Sequence, residues 1–463
     1  MKILHCLHQY HPATGGAEWL MKNVSERLAA AGHSVRIIAT NARSVEDYFV
    51  RGQGKNLMRA GDEEAVDGIP VRRVRFTRRG AALLNLARAA ANRLPLPFGD
   101  RLRMLSWGPR SRAYYREIIR SIRAGEVDLV AACPLPTLNV YYAWKAARRS
   151  GVPFVMVPCF HTEDVFTFHN RIYFSMMRAA TAIICLTEWE KSFLLKATGA
   201  PEEVFQVIGA GIDMPNVKTG GDGESSDRQG AEKGAEQEGI NSGFAGDSHA
   251  SNASAKIPRG ESLEKVASVH IRQKYGISVR DFVLFLGQHA PHKGIITLIE
   301  AMRSVWRENP ETGLVIAGNP TAHTRDVEAR IRCLPDDEQK RIFLIGKFPE
   351  SDKRGIMAAC RVFVSVSPFE SFGIVFLEAW REKKPVIGCR RGASSKIINE
   401  FRDGLLVPDR DREALAGAII ELLENSLGAE RMGEAGYRKV AARYSWDNII
   451  ARWEKVYEGV LKR

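Results

Sequence analysis

Long apolar runs are missing from this sequence: nowhere do ~18 uninterrupted apolar residues, the length a membrane-spanning helix needs, follow one another. No spanning helix is therefore expected. Cysteine is sparse and odd in number, with seven residues (Cys6, Cys133, Cys159, Cys185, Cys333, Cys360, Cys389) scattered through mostly apolar surroundings. That distribution speaks against a disulfide framework or a zinc cage and for reduced core thiols, so a cytoplasmic protein is expected. Acidic residues are nearly absent from one stretch. Between Val71 and Gly125 fourteen arginines stand against only Asp100 and Glu117, and the whole chain carries a formal charge of +13. Such an excess suits an anionic surface, a membrane or a nucleic acid, or else a solvated arginine-rich face. The beginning, Met1 to His11, has one lysine and a short apolar run broken by His5, His8 and His11 with no small-residue cleavage site after it, so it reads as a first buried strand rather than a secretory signal.

What is present is a soluble globular composition, 45% apolar and 26% charged, in a chain of 463 residues. That length predicts two domains of about 200 residues each, plus extras. Lys2 to Leu7 predicts a strand, the apolar spacing of Ala17, Leu20, Met21, Val24 and Leu28 a helix ended by Gly32, and Ser34 to Ala39 the next strand, a parallel βαβ start. Gly15 and Gly16 fall where that helix begins, and there a backbone without side chains lets N–H groups approach a phosphate. The nearby His5, His8 and His11 step from strand into loop without a matching set of partners, so no metal site is expected. Asn41 to Asp67 reads as polar loop. Ala81 to Trp107 interleaves leucines and arginines and is interrupted by Pro95 and Pro97, the pattern of basic amphipathic pieces lying on a membrane or of a helical pair packing on its own domain.

Further strand and helix signals alternate to Ile208, and His161 follows directly on a strand end, at the mouth of a parallel sheet. Asn216 to Gly260 is rich in Gly, Ser, Ala, Glu and Asp and has too few large apolar side chains to fold, so residues 214–262 are read as a disordered insert. The second half restarts with a strand at Phe282 to Leu286, the loop Gly287 to Gly294 with Gln288 and Lys293, and a second set of alternating strands and helices that predicts another doubly wound sheet. Lys293, just before a helix, is a candidate phosphate ligand. In Pro368 to Trp380, Glu370 lies on the loop after a strand, Gly373 turns the chain into a helix, and Glu378 sits about two turns further on, able to face the same cleft.

In order and spacing, these segments resemble the family 4 glycosyltransferases, over nearly the whole chain apart from the insert and the basic region. The resemblance rests on His11-Pro12-x-x-Gly15-Gly16-x-Glu18, Gly32-His33-x-Val35, His161, Gly211-Ile212-Asp213, Lys293-Gly294 and the Glu-x7-Glu segment from Glu370 to Glu378. It implies an α/β protein of GT-B fold, with two facing Rossmann-like domains: 1–213 on the acceptor side, 263–445 binding the nucleotide sugar, and a last helix, 446–463, crossing back. It further implies a retaining transferase that moves a sugar from a UDP- or GDP-linked donor to a glycan or lipid-linked acceptor, without metal or cofactor, in cell-surface polysaccharide, lipopolysaccharide or glycolipid synthesis. Carried over residue by residue, Glu370 contacts donor-sugar hydroxyls and Glu378 the ribose hydroxyls. Lys293 neutralises the diphosphate with backbone N–H groups of Gly15, Gly16 and of Phe372, Gly373, Ile374 and Val375. His161 lies close to the reacting carbon, and Gly346 to Phe348 border the base. Three positions depart from the family pattern: Gln288 stands where an arginine is usual, Gly392-Ala393-Ser394-Ser395-Lys396 puts a base for an acid, and Ala210 replaces an asparagine. The acceptor is expected on the N-terminal half, with the Val71 to Gly125 region against an anionic membrane at the cytoplasmic face and no nucleic acid bound. A nucleotide-sugar hydrolase or epimerase of the same fold, and a basic nucleic-acid binder, are the other readings.

Overall fold

A computed structural model describes residues 1–13, 15–48, 57–94, 98–215 and 263–463. Nearly all of the segment read as an insert, and the two prolines of the basic region, therefore lie outside the described residues.

The chain builds two sheets. The first takes β1 (Lys2–Leu7), β2 (Ser34–Thr40), β3 (Glu63–Val66), β4 (Ile69–Val74), β5 (Leu129–Cys133), β6 (Phe154–Met156), β7 (Ala182–Cys185) and β8 (Phe205–Val207), in the order β3-β4-β2-β1-β5-β6-β7-β8. The second takes β9 (Asp281–Leu286), β10 (Thr312–Ala317), β11 (Ile342–Ile345), β12 (Val362–Ser365), β13 (Val386–Cys389) and β14 (Gly404–Val407), in the order β11-β10-β9-β12-β13-β14, parallel throughout. Strands such as Leu129–Cys133 and Val362–Ser365 are buried along their whole length, as strands covered by helices on both faces must be. That is why they read as short continuous apolar runs rather than as alternating ones.

Asn41 to Asp67, read as loop, contains a short helical turn (Val45–Tyr48) and β3, which pairs antiparallel with β4, Val66 opposite Ile69. The turn between them is Asp67-Gly68 with φ of 50° and 80°, the two left-handed residues that a two-residue hairpin requires. The exposed Glu63 and Glu64 hid an edge strand whose signal was the turn.

In each sheet the strand order reverses once, between β1 and β5 and between β9 and β12. At such a switch point the loops leaving the two strands part and open a crevice at their carboxyl ends. The loops that leave these four strands carry most of the site, and the segment after β6 adds His161.

The helix Trp446–Leu461 ties the two halves together. Tyr457 Oη lies 3.0 Å from His5 Nε2 in β1, His33 Nε2 lies 2.9 Å from Glu454, and the Trp19 and Trp446 rings are 5.6 Å apart. Trp446, Ile449, Trp453 and Tyr457 are buried, and burying a large apolar side chain contributes roughly 1.5–3 kcal/mol. All seven cysteines are free. Six are buried, while Cys333 is exposed and so departs from the expected core role. No helix of the described residues is long and apolar enough to cross a membrane.

Candidate active site

The crevices of the two sheets meet in a cavity of ≈ 400 Å³. Of the residues singled out in the sequence, Gly16, His161, Gln288, Lys293, Glu370, Phe372, Gly373, Ile374 and Val375 line it. Three helices begin around it. Gly16 opens the helix Gly16–Ala30, Gly294 (φ 76°) caps Ile295–Glu308, and Gly373 (φ 93°) caps Ile374–Arg381. Each such start presents unpaired backbone N–H groups and the positive end of a helix dipole, so the cavity attracts anions before any side chain is counted. At Gly373 the left-handed backbone and the Phe376 ring packed under it leave no room for a side chain.

Lys293 Nζ lies 2.5 Å from Glu370 Oε1, and both side chains are largely buried. This pair joins the loop after β9 to the loop after β12. Each member of the pair can exchange its partner for a ligand: the ammonium for a phosphate, the carboxylate for hydroxyl donors. His161 comes from the other domain, with Nε2 3.0 Å from Ser371 Oγ. Burial holds its imidazole below the usual histidine value, with Lys293 adding to the effect and Glu370 opposing it. His292, next to Lys293 and with its ring 5.9 Å from that of Phe369, is likewise held low by burial and by the lysine.

The segment bearing His161 is anchored from below. The Glu190 carboxylate accepts hydrogen bonds from the backbone N–H of Phe160 (2.7 Å) and of Leu186 (2.6 Å), joining the ends of β6 and β7. Burial pushes this carboxyl up to about 7 against the pull of those two donors.

Several predicted residues are placed outside the lining. Gly15 does not line the cavity; it lies against the Glu18 carboxylate, which is itself paired with His8 at 2.8 Å, and a side chain at Gly15 would collide with it. Glu378 is not in the lining either. It is buried one turn below Ile374 with Oε1 2.5 Å from Lys353 Nζ and Oε2 unpartnered. Gly346 to Phe348 follow β11, at the edge of the sheet, and are also outside the lining. The N-terminal histidines are used structurally: His5 Nδ1 contacts Ser25 Oγ at 2.7 Å, and His8 pairs with Glu18. Among the described residues no group of three or more His, Cys, Asp or Glu is placed to hold a metal ion.

Ser371, His292, Pro134, Leu135 and Cys159 line the cavity without having been singled out for it. Ser371 lies between two residues that were, and Pro134 and Leu135 follow β5, so only the strand order could have brought them in.

Comparison with known proteins agrees with this geometry. The family model described as Glycosyltransferase Family 4 matches residues 14–214, and the one described as Glycosyl transferases group 1 matches residues 269–439. The chain is 30% identical over 207 residues, 44% of its own length and 53% of the relative's, to a phosphatidyl-myo-inositol mannosyltransferase of Mycobacterium leprae. It is 28% identical over 185 residues, 39% of its length and 47% of the relative's, to O-antigen chain mannosyltransferase C of Escherichia coli. The matched stretch spans about half the length of these curated relatives. The fold is shared over nearly the full length with Anabaena HepE in complex with UDP and glucose, at TM-score 0.65, 17% identity and 99% of both chains. It is shared also with WaaG, a glycosyltransferase involved in lipopolysaccharide biosynthesis, at TM-score 0.59, 17% identity and 98% of both chains. With one family model on each half, two doubly wound sheets facing a common cleft and structural neighbours along its whole length, the chain has the GT-B fold and belongs to the family 4 glycosyltransferases.

Proposed function

We propose that the protein is a retaining glycosyltransferase that moves a sugar from a nucleotide-sugar donor to a glycan or lipid-linked acceptor in the synthesis of a cell-surface polysaccharide, lipopolysaccharide or glycolipid. The observation that carries this reading is the Lys293–Glu370 pair at 2.5 Å inside a cavity onto which three helices open. An anion-binding wall and a hydroxyl-accepting carboxylate side by side match a ligand that has both a diphosphate and a sugar. The mannosyltransferase relatives point to the same class of acceptor.

In this reading the donor diphosphate takes the Lys293 ammonium and the N–H groups at Gly16 and at Phe372 to Val375, releasing Glu370 to accept from sugar hydroxyls. As the bond between the sugar carbon and the diphosphate oxygen breaks, negative charge grows on the phosphate and positive charge on the carbon. Lys293 and the helix starts are fixed where that negative charge appears, so they need no reorganisation, the largest single source of rate in such reactions. His161, kept neutral by burial, faces the sugar from the opposite domain. The departing phosphate takes the acceptor proton while the acceptor oxygen bonds to the sugar carbon on the face the phosphate leaves, which retains configuration at the carbon. Gln288, where an arginine is usual, leaves Lys293 as the principal side-chain charge on the diphosphate, and no metal is invoked.

For the acceptor side, we read the Val71 to Gly125 region as facing an anionic membrane at the cytoplasmic face. The helices Ala81–Arg93 and Gly99–Ser106 pack on each other, while Leu83, Leu86 and Phe98 are each about 70% exposed beside the arginines (71%, 70% and 70%). Apolar side chains left in solvent within a cationic surface are what a lipid interface accommodates.

The chemistry is tested with Lys293→Ala and Glu370→Ala. Removing one such stabilising group is expected to cost about 10²- to 10³-fold in turnover in protein that melts like the parent, and proton NMR of early product should show retained anomeric configuration. Transfer undiminished in both variants, or an inverted product, would overturn the proposal.

A further inference from the structure

We propose that Lys353 is a positioning residue for the donor: by holding one oxygen of Glu378, it presents the other to the ribose hydroxyls of a nucleoside diphosphate. The inference rests on the reading of the cleft as a nucleotide-sugar site.

Glu378 is a buried acid, and its two oxygens have different fates. Oε1 lies 2.5 Å from Lys353 Nζ, while Oε2 is out of contact with solvent and has no hydrogen-bond partner. A buried acceptor without a donor is costly, of the order of 1–3 kcal/mol, and such an atom in a folded protein is usually waiting for a ligand, a water or an ion. Glu378 lies four residues after Ile374 on one helix face, and Ile374 lines the cavity. Glu378 is therefore one helical turn along from a residue that borders the space a donor would enter. Two vicinal hydroxyls are the donors such an oxygen lacks.

Lys353 comes from the separate helix Glu350–Ala359, and among the described residues its only other ion pair, to Glu350 at 3.3 Å, involves a side chain that is itself 81% exposed. The lysine is thus committed to Glu378, with Glu350 at the rim. Its charge matters twice. An unpaired carboxylate in this position would be driven to take up a proton, and as a neutral acid it would accept hydrogen bonds less strongly. Left ionised and unpaired, it would repel the diphosphate that must bind nearby. Burial pushes the Glu378 carboxyl up, Lys353 pulls it down, Glu350 raises it and Arg381 on its own helix lowers it. On the far side, the helix Ser426–Arg443 turns Lys439 onto the Trp380 ring, where it is occupied by Asp403. β13 contributes Val386, Ile387 and the Cys389 thiol and carries no charged side chain.

The test is binding of UDP and GDP, and of their 2′,3′-dideoxy counterparts, to the parent, Lys353→Met and Lys353→Arg by calorimetry from acid to mildly alkaline pH. The parent is expected to prefer the ribose form by about tenfold or more, the worth of a hydrogen bond to a charged group. In Lys353→Met that preference should shrink to within a few-fold near neutral pH and return as the pH is raised, because Glu378 then ionises only at higher pH. Lys353→Arg should keep both the preference and the parent's pH profile. Where Lys353→Met does not fold, Lys353→Gln carries the same comparison. A folded neutral variant that keeps the parent's ribose preference and pH profile overturns the inference while leaving the donor site standing. A parent that binds neither nucleotide overturns the donor-site reading, and this inference with it.

Discussion

Ser371 Oγ and His161 Nε2 lie 3.0 Å apart, a polar contact between the loop that carries Glu370 and the opposite domain. Close by, Arg391 of the second domain pairs with Glu163 of the first. The two domains therefore meet on the reacting side of the cleft through residues next to the proposed catalytic ones.

His161→Ala should lower turnover about 10²-fold or more, in the range of a lost transition-state contact. Ser371→Ala removes one neutral hydrogen bond, worth about 1 kcal/mol, and should cost no more than about tenfold. Because burial holds the His161 imidazole below its usual value, the group stays neutral to lower pH than a free histidine. The acid limb of the turnover profile should accordingly fall below the ordinary histidine range. An acid limb at or above that range, with the His161→Ala variant showing the same limb, would remove His161 from the reaction.

Most of this wall of the site is legible in the sequence because its signals are local. Lys293-Gly294 before a helix, Ser371-Phe372-Gly373 between strand and helix, and Gly16 at the first helix each announce a strand end, a turn and a helix start within a few residues. His161 is legible as a residue of the loop that follows a strand, although β6 already ends at Met156. What is not legible depends on strand order or on a partner far along the chain. Pro134 and Leu135 reach the cavity only because β5 lies beside β1, and Lys353 meets Glu378 only because two helices pack together. Gly15 lies against the Glu18 carboxylate and outside the lining, a difference a glycine pair does not disclose in the sequence. The edge strand Glu63–Val66 was missed because its outward side chains are charged and only Asp67-Gly68 marks it.

The Glu190 clamp gives a stability prediction with a sign. Folded, this carboxyl holds its proton up to about 7, whereas an unfolded glutamate releases it near 4.5. The folded state therefore binds more protons between those values. The group's contribution is fully present below 4.5 and is lost as pH rises through about 7. Glu190→Ala leaves the N–H groups of Phe160 and Leu186 unpaired in the interior, for a loss of roughly 2–4 kcal/mol. It should also lower turnover, by releasing the segment that carries His161. Glu190→Gln retains one acceptor oxygen and should flatten the pH slope. Thermal melts of the three proteins across this range check the sign: a parent steeper in the opposite direction relative to Glu190→Gln would refute it.

His5 predicts the opposite slope. Its ring nitrogens contact Ser25 and Tyr457, and burial lowers its pKa to about 3 from 6.5. An unfolded histidine takes up a proton as pH falls below 6.5, while the folded one stays neutral to about 3, so stability declines with falling pH across that window. Linkage sets an upper bound on the order of 5 kcal/mol. His5→Gln should be less stable than the parent at neutral pH yet lose less on acidification. The two urea midpoints should therefore converge toward acid pH, and a constant gap between them would show that His5 does not set the slope.

The basic helical pair separates membrane docking from a merely solvated arginine face. Leu83, Leu86 and Phe98 are exposed, so replacing any of them with aspartate should change stability by no more than about 0.5 kcal/mol. If the surface meets lipid, each change removes an apolar contact and adds a repelling charge. Sedimentation with vesicles rich in an anionic phospholipid should then fall several-fold for Leu86→Asp and Phe98→Asp. Vesicles of neutral phosphatidylcholine should bind the parent weakly, and added salt should weaken the anionic case because surface charges are screened beyond about 10 Å at 0.1 M. Turnover on a short, water-soluble acceptor should be unaffected in both variants, because the substitutions lie outside the cavity lining. Equal vesicle binding by parent and variants would assign the arginines to solvent, and tighter salt-sensitive binding to nucleic acid than to anionic vesicles would favour a different partner for the same charge.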